Sequence, residues 1–461
     1  MIKAFLKRVG LLPKGVSSKG AVKGKLKPII IPRSQHGVSR KGISENALKV
    51  LYRLNRHGHE AYLVGGGVRD LLLGLHPKDF DVVTDATPDE VRRIFRNCRL
   101  IGRRFRLAHI YFGHDIIEVA TFRAKVDIPS EDHSHSEHGM ILRDNVYGTL
   151  GDDVWRRDFT INALYYNIAD FSIVDFTGGF ADLKAKKMRM IGDAKERYRE
   201  DPVRMLRAIR FASKVNFPLP SELSRPISEL KSLISHVSSA RLFEEMMKLF
   251  HSGAAFPTFE HLKEFHLFEE LFPQTHFCIE EGKYPTDALL RVVFQSTDQR
   301  IAEEKPVTPS FIIAALLWHP IVEASKRLVE EGIHYFPARM QAIEDVLKIQ
   351  VQRVSFPKRL VQGAREIWLL QMRLEKRHGK RAETLMYEPR FRAAYDFLEL
   401  RAKAGEPVKE LAQWWQSYIQ SDAPARHALV KALTPGASAK KKKKKHRRKP
   451  KAKPAPESDV L

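Results

Sequence analysis

The sequence predicts an α+β chain: a head built on a small mixed β-sheet, followed by all-α neck and body domains. Three observations predict it. Residues 61–84 read as strand, glycine turn, short helix and second strand. Residues 109–121 read as a hairpin, and from Asp201 onward the apolar spacing is almost wholly helical. A chain of 461 residues can bury a large core and divide into several domains. We expect a basic, flexible arm at 1–43, the head at 44–184, a helical neck at 185–255, a helical body at 256–430 and a disordered Lys/Arg-rich tail at 431–461.

The elements follow in order. Within the arm, Ile29-Ile30-Ile31 is an apolar run able to dock. Residues 44–56 place Ala47, Val50, Leu51 and Leu54 on one helical face, with Ser44 as N-cap. Residues 61–64 are a short buried strand, and 68–74 a short helix closed by Gly74. Residues 80–84 continue a strand that begins with Asp-x-Asp. Thr87-Pro88-Asp89-Glu90 opens a helix: cap, Pro at the first position, Glu three residues after the cap. Residues 109–112 and 115–121 pair through Gly113-His114, and 124–145 are polar and loop-like. Residues 158–167 read as helix, and 173–176 as a strand before Gly178-Gly179. No internal repeat is present.

Charge narrows the partners. Lys plus Arg (79) exceed Asp plus Glu (55), a net charge of +24. Residues 1–43 carry +11 and residues 431–461 carry +10, leaving +3 for 44–430. The basicity lies in two terminal arms, which suit a polyanion such as nucleic acid; solvated segments that merely aid solubility are the alternative. The two cysteines, Cys98 and Cys278, stand far apart and away from any His/Cys cluster. That spacing argues against a zinc site or a disulfide framework and fits a cytoplasmic protein. No run approaches the ~18 apolar residues of a membrane span, so no integral membrane association is expected. The basic N-terminus lacks the apolar stretch of a signal peptide.

The chemistry concentrates in four stretches. Asp79 and Asp81, at i and i+2 of a strand, point to one side. Gly65-Gly66-Gly67 offers bare backbone N–H groups at a helix start, a seat for phosphate oxygens, with Arg69 close by. Each motif alone is commonly structural; together they suit divalent cations and a nucleoside triphosphate, hence phosphoryl or nucleotidyl transfer. Glu118 is a charge inside an apolar strand: either a third metal-binding carboxylate or a solvent-facing residue on an edge strand, the first being favoured. Arg156-Arg157-Asp158-Phe159-Thr160-Ile161-Asn162 opens the expected helix at 158. Asp158 is its cap, Asp158 and Asn162 share a face, and the arginines are free to hold phosphate. In this reading Asp158 takes a ribose hydroxyl and Asn162 the sugar or base. The alternative is a capped helix with solvated arginines. At the second helix start Asp201 caps, Pro202 takes the first position, and Met205, Ile209 and Ala212 form a packing stripe. Asp201, Arg204 and Arg207 share a face there, able to read the polar edge of a base or simply to pair locally. His133, His135 and His138 are read as loop residues.

These motifs together resemble the nucleotidyltransferase superfamily branch that contains bacterial poly(A) polymerases and tRNA CCA-adding enzymes. The resemblance is dense from residue 61 to 217 and more diffuse through Leu242-Phe243-Glu244-Glu245, Phe356-Pro357-Lys358-Arg359-Leu360 and Phe391-Arg392-Ala393-Ala394-Tyr395-Asp396. Leu100-Ile101-Gly102-Arg103-Arg104-Phe105-Arg106-Leu107-Ala108-His109-Ile110 is similar to the segment that marks poly(A) polymerases within the branch. The resemblance implies a nucleotidyltransferase head that adds AMP from ATP to the 3′-hydroxyl of single-stranded RNA and releases pyrophosphate. It implies two Mg²⁺ ions, replaceable by Mn²⁺, on Asp79 and Asp81, with Glu118 as candidate third ligand. Gly65, Gly66 and Arg69 are implied to contact the triphosphate, and Arg157 and Asp158 phosphate and sugar. Asp201, Arg204 and Arg207 are implied to shape the nucleotide pocket. The alternatives are CCA addition to tRNA and, in another class, an RNA-binding protein without turnover.

Overall fold

The computed structural model describes residues 27–102, 106–124, 133–135, 141–144 and 146–433, the two short segments 133–135 and 141–144 by backbone alone. The chain divides into two compact units. One holds Met1–Arg204 and Phe217–Pro226, the other Met205–Asn216 and Ile227–Leu461. Among the described residues no helix is long and apolar enough to cross a membrane.

The first unit is built on a sheet of eight short strands: β1 (Ile29–Ile31), β2 (Ala61–Val64), β3 (Asp81–Thr84), β4 (Cys98–Ile101), β5 (Leu107–Phe112), β6 (Asp115–Thr121), β9 (Leu164–Asn167) and β10 (Ile173–Asp175). Their order is β1-β10-β9-β2-β3-β6-β5-β4. Every neighbouring pair is antiparallel except β3 and β6, so the sheet is mixed, as expected. Helix α1 (Glu45–Arg56) lies against β2, β3 and β6 and buries Ala47, Val50, Leu51 and Leu54 completely. Its Ser44 cap accepts from the Ala47 N–H at 3.1 Å. Helix α2 (Gly66–Leu72) follows β2 directly, and Gly74 beyond its end has φ +71°. Helix α3 (Pro88–Ile94) opens with a complete Thr87–Glu90 capping box, two first-turn donors satisfied reciprocally.

Three expectations need correction. The head starts before residue 44: the apolar run Ile29–Ile31 docks as β1, paired with β10 along one edge of the sheet, and Val38 and Ile43 are buried. Residues 1–26 lie outside the described residues. The loop-like stretch 124–145 contains a second, two-stranded sheet, β7 (His133–His135) with β8 (Ile141–Asp144), which takes up His133 and His135; His138 lies outside the described residues. The helix expected over 158–167 is a 3-10 turn, Thr160–Asn162, followed by β9. Tyr165 and Tyr166 are better suited to a pleated, doubly covered surface than to a helix. They pair with β2 on one side and β10 on the other, so sheet pairing overrides the local pattern.

The second unit is helical throughout its described residues, as expected from Asp201 onward. Its long helix Pro309–Glu330 packs against Tyr335–Gln350 and Lys358–Leu374. Leu374, Leu385, Phe391, Leu398, Trp415 and Tyr418 gather in a C-terminal cluster, with Trp415 Nε1 donating to the Leu374 carbonyl at 3.0 Å. Helix Val203–Val215 runs from the first unit into the second, and its expected stripe, Met205, Ile209 and Ala212, is fully buried. Residues 434–461, most of the expected tail, lie outside the described residues.

Candidate active site

The site begins with the alternation of β3. Phe80 is buried, while Asp79 and Asp81 on either side of it are exposed. That is the two-residue period of extended backbone placing both carboxylates on one side. The face of Asp81 continues into Val83, which joins Val64, Phe122, Val154 and Tyr165 in a buried cluster. The carboxylates therefore stand at the strand end where that apolar cover stops. In the parallel β3–β6 pair Asp81 sits in register with Glu118, on the same face.

Glu118 is neither buried nor on an edge strand. β6 lies between β3 and β5, and Glu118 is exposed, its Oε1 3.5 Å from His109 Nε2 on β5. Among the described residues no three His, Cys, Asp or Glu side chains are gathered closely enough to form a ready metal cluster. The pair Asp79 and Asp81 is assembled; Glu118 is a register neighbour that leans towards His109.

The glycine turn packs against this pair. Gly65, with φ +75°, caps α2 in a conformation that side chains other than glycine's rarely adopt. A Cβ there would lie 3.7 Å from Asp81 Oδ2, and one at Gly67 only 3.3 Å from the Asp79 carbonyl. Helix start and carboxylate strand can approach this closely because the turn lacks side chains.

Behind the turn runs a buried polar relay. Arg69, 1% exposed, donates from Nε and Nη2 to Asp70 Oδ1 at 2.8 and 2.6 Å and from Nη1 to Asn162 Oδ1 at 2.8 Å. Asn162 Nδ2 reaches Asp158 Oδ1 at 3.5 Å, which also accepts the Phe159 N–H at 2.8 Å. Asp158 and Asn162 do meet, but through the 3-10 turn rather than along an α-helical face. Arg69 is an interior strut joining α2 to that turn, not a side chain waiting at an open surface.

Arg156 and Arg157 are likewise committed. Both donate to Asp153, which is fully buried on α4 (Leu150–Trp155), at 2.9 and 3.0 Å, and Arg157 also donates to the Tyr165 hydroxyl at 2.8 Å. Burial opposes ionisation of Asp153, but the attraction of Arg157 and Arg156 outweighs it and holds the carboxyl at about 2. Burial pushes the Tyr165 hydroxyl up, against the pull of Arg157. Asp153 was missed in the sequence; its signal was the spacing of Arg156 and Arg157 at i+3 and i+4.

A second missed residue is Arg197 on α6 (Ala194–Glu200). Its Nη2 donates to the Arg156 and Arg157 carbonyls at 2.9 and 2.8 Å, tying this helix to the arginine segment. Burial and the neighbouring Arg204 cation pull its guanidinium down to about 10, with Glu200 opposing. Arg204, buried, donates to Glu200 Oε2 at 2.7 Å and to the Arg197 carbonyl at 2.9 Å. Asp201 ends α6, its carbonyl accepting the Arg204 N–H at 3.0 Å. Arg207 belongs to the other unit.

Comparison with known proteins sets this geometry in a family. Three family descriptions match: "Poly A polymerase head domain" over 61–189, "Probable RNA and SrmB- binding site of polymerase A" over 216–278, and "Polymerase A arginine-rich C-terminus" over 331–450. The chain is 51% identical to Poly(A) polymerase I of Salmonella typhi over 411 residues, covering 88% of each chain. It is 39% identical to a CCA-adding enzyme of Geobacillus thermodenitrificans over 205 residues, 44% of this chain and 49% of that one. Among solved structures, Bacillus stearothermophilus CCA-adding enzyme in complex with CTP aligns over 80% of each chain at 25% identity with a TM-score of 0.53.

Proposed function

Because the chain belongs to the poly(A) polymerase family and is a nucleotidyltransferase that adds poly(A), we propose that its reaction takes place at the head face carrying Asp79 and Asp81. There the 3′-hydroxyl of single-stranded RNA attacks the α-phosphate of ATP in line, and pyrophosphate departs. The observation that carries this reading is the exposed carboxylate pair beside a side-chain-free turn. Paired carboxylate oxygens suit a hard divalent cation, and Asp79 and Asp81 would hold Mg²⁺, with Mn²⁺ as substitute. Bound there, it would supply charge neutralisation on the phosphates and a more acidic attacking hydroxyl. A second ion, with Glu118 as a further ligand, belongs to the same proposal; the register of Glu118 with Asp81 supports it.

The remaining work falls to the chain's own groups. First-turn N–H groups of a helix lack intrahelical acceptors, so those following Gly65 and Gly66 suit triphosphate oxygens. Arg69 and Arg157 act chiefly by position: the first fixes Asn162 and Asp158 towards sugar, the second anchors the segment that bears Asp158. Asp201 and Arg204 shape the base pocket, and Arg197 holds both relative to Arg157. Positioning and charge stabilisation are the protein's main contributions to such a transfer. The terminal basic arms add RNA affinity without sequence preference. A cytoplasmic location fits the two free thiols, Cys98 and Cys278.

The test is extension of a short labelled RNA with Mg²⁺ and each nucleoside triphosphate separately. A long ladder with ATP alone is the expected result. CTP and then ATP incorporation confined to a tRNA lacking its terminus would replace this reading with CCA addition, and no incorporation on either substrate would leave an RNA-binding protein.

A further inference from the structure

The helical unit carries a basic pocket of its own. Residues 373–381 read Arg-Leu-Glu-Lys-Arg-His-Gly-Lys-Arg. They form the turn between helix Lys358–Leu374 and the short helix Arg381–Met386. In that turn lies a cavity of about 780 Å³ whose lining includes Arg373, Lys376, His378, Lys380, Arg381 and Thr384 and no carboxylate. Glu388 pairs with Arg373 at 2.6 Å. Lys376, Lys380 and Arg381 have no carboxylate partner among the described residues.

Exposed lysines alone would mean little, but two further features meet here. Tyr387 is 81% exposed, the most exposed large apolar side chain among the described residues. Its N–H donates to the carbonyl of Thr384, a lining residue, at 3.3 Å, so its backbone stands one turn from that lining position. The turn itself is anchored. The Arg377 guanidinium stacks over the Trp414 ring at 5.1 Å, and Trp414 stacks on Tyr418 at 4.9 Å between centroids, so the cations project from a fixed frame.

Unneutralised cations lining a cavity of nucleotide size, next to a bare aromatic face, match the two needs of single-stranded nucleic acid: charge along the backbone and a surface on which a base stacks. We propose that this pocket is a single-stranded RNA subsite. Lys376, Lys380 and Arg381 hold backbone phosphate, and Tyr387 stacks a base. It rests on the reading that the head extends RNA, and it assigns the helical unit a hold on the strand independent of the catalytic face.

The experiment uses the full chain, a short labelled oligo(A), anisotropy across a salt series, and ATP-dependent extension with RNA varied. Lys380→Ala with Arg381→Ala should raise the RNA KM about tenfold and leave kcat at saturating RNA unchanged. The same variant should flatten the log–log salt slope by about 0.7 for each phosphate that is no longer neutralised. Tyr387→Ala should weaken binding about five- to tenfold with the slope unchanged, since stacking releases no counterions. All three side chains are exposed, and the melting transition checks that the variants fold. Unchanged affinity and slope in both variants, with extension intact, would overturn the subsite and leave the reaction reading standing. Variants that lose affinity for poly(Glu) but not for oligo(A) would overturn it in favour of an acidic protein partner. A wild-type chain that extends no RNA would instead fail the reading of the head.

Discussion

Two sets of carboxylates in the head, a few strands apart, have opposite surroundings. Asp79 and Asp81 stand exposed at the start of β3, where the apolar cover stops, and Glu118 stands exposed midway along β6, in register with Asp81. Asp153 and Asp175 are buried and saturated. Asp153 accepts from two arginines and the Tyr165 hydroxyl. Asp175 accepts four backbone N–H groups, from Thr177, Gly178, Gly179 and Phe180, at 2.9–3.1 Å, and so caps α5 (Gly179–Lys184). The contrast teaches that residue type does not separate a chemical carboxylate from a structural one; access does. A buried carboxylate must find its donors within the fold, whereas an exposed one keeps oxygens accessible to a cation or substrate.

Substitutions can break the contrast from either side. The largest effect is expected at the exposed pair: Asp79→Asn or Asp81→Asn should cut extension on the order of 10³-fold. The melting transition and RNA binding should stay near wild type, and a variant that still makes long tails would remove the catalytic assignment. Asp153→Ala should do the reverse. It removes the buried carboxylate that neutralises Arg157 and accepts from the Tyr165 hydroxyl, and should lower stability by about 3 kcal/mol, read by denaturant unfolding.

The same carboxyl should be visible in the acid limb of the stability curve. Its folded value of about 2 lies below the ordinary 3.8, so its contribution of about 2 kcal/mol is complete above pH 4 and drains away as pH falls through 2. Asp153→Asn should erase that limb. The smallest effect sharpens the boundary between the two sets: Glu118→Gln should lower kcat about tenfold if the residue joins Asp81 in metal binding. An unchanged kcat would leave it as a partner of His109 alone.

Much of the site was legible because its signals are local. Gly65, Asp79, Asp81, the Thr87 cap and the Ser44 cap are each written within a few residues, and local backbone geometry realises them directly. The clearest misreading has a long-range cause. Residues 158–167 carry a credible helix start, but the strand pairing of Leu164–Asn167 with β2, about 100 residues earlier, outweighs it. Ile29–Ile31 was legible as a run able to dock, but the strand it docks on, β10, lies too far along the chain to be read locally.

The sequence by itself determined the helical character beyond Asp201, the carboxylate pair and its glycine turn, and the concentration of charge in the arms. All are properties of spacing and composition. Only the tertiary structure decided that Arg69 is an interior strut, that Arg157 is tied to Asp153 and Tyr165, that Glu118 shares a face with Asp81, and that Lys376, Lys380 and Arg381 line one pocket. Burial and register arise from contacts between distant segments, and no local pattern contains them.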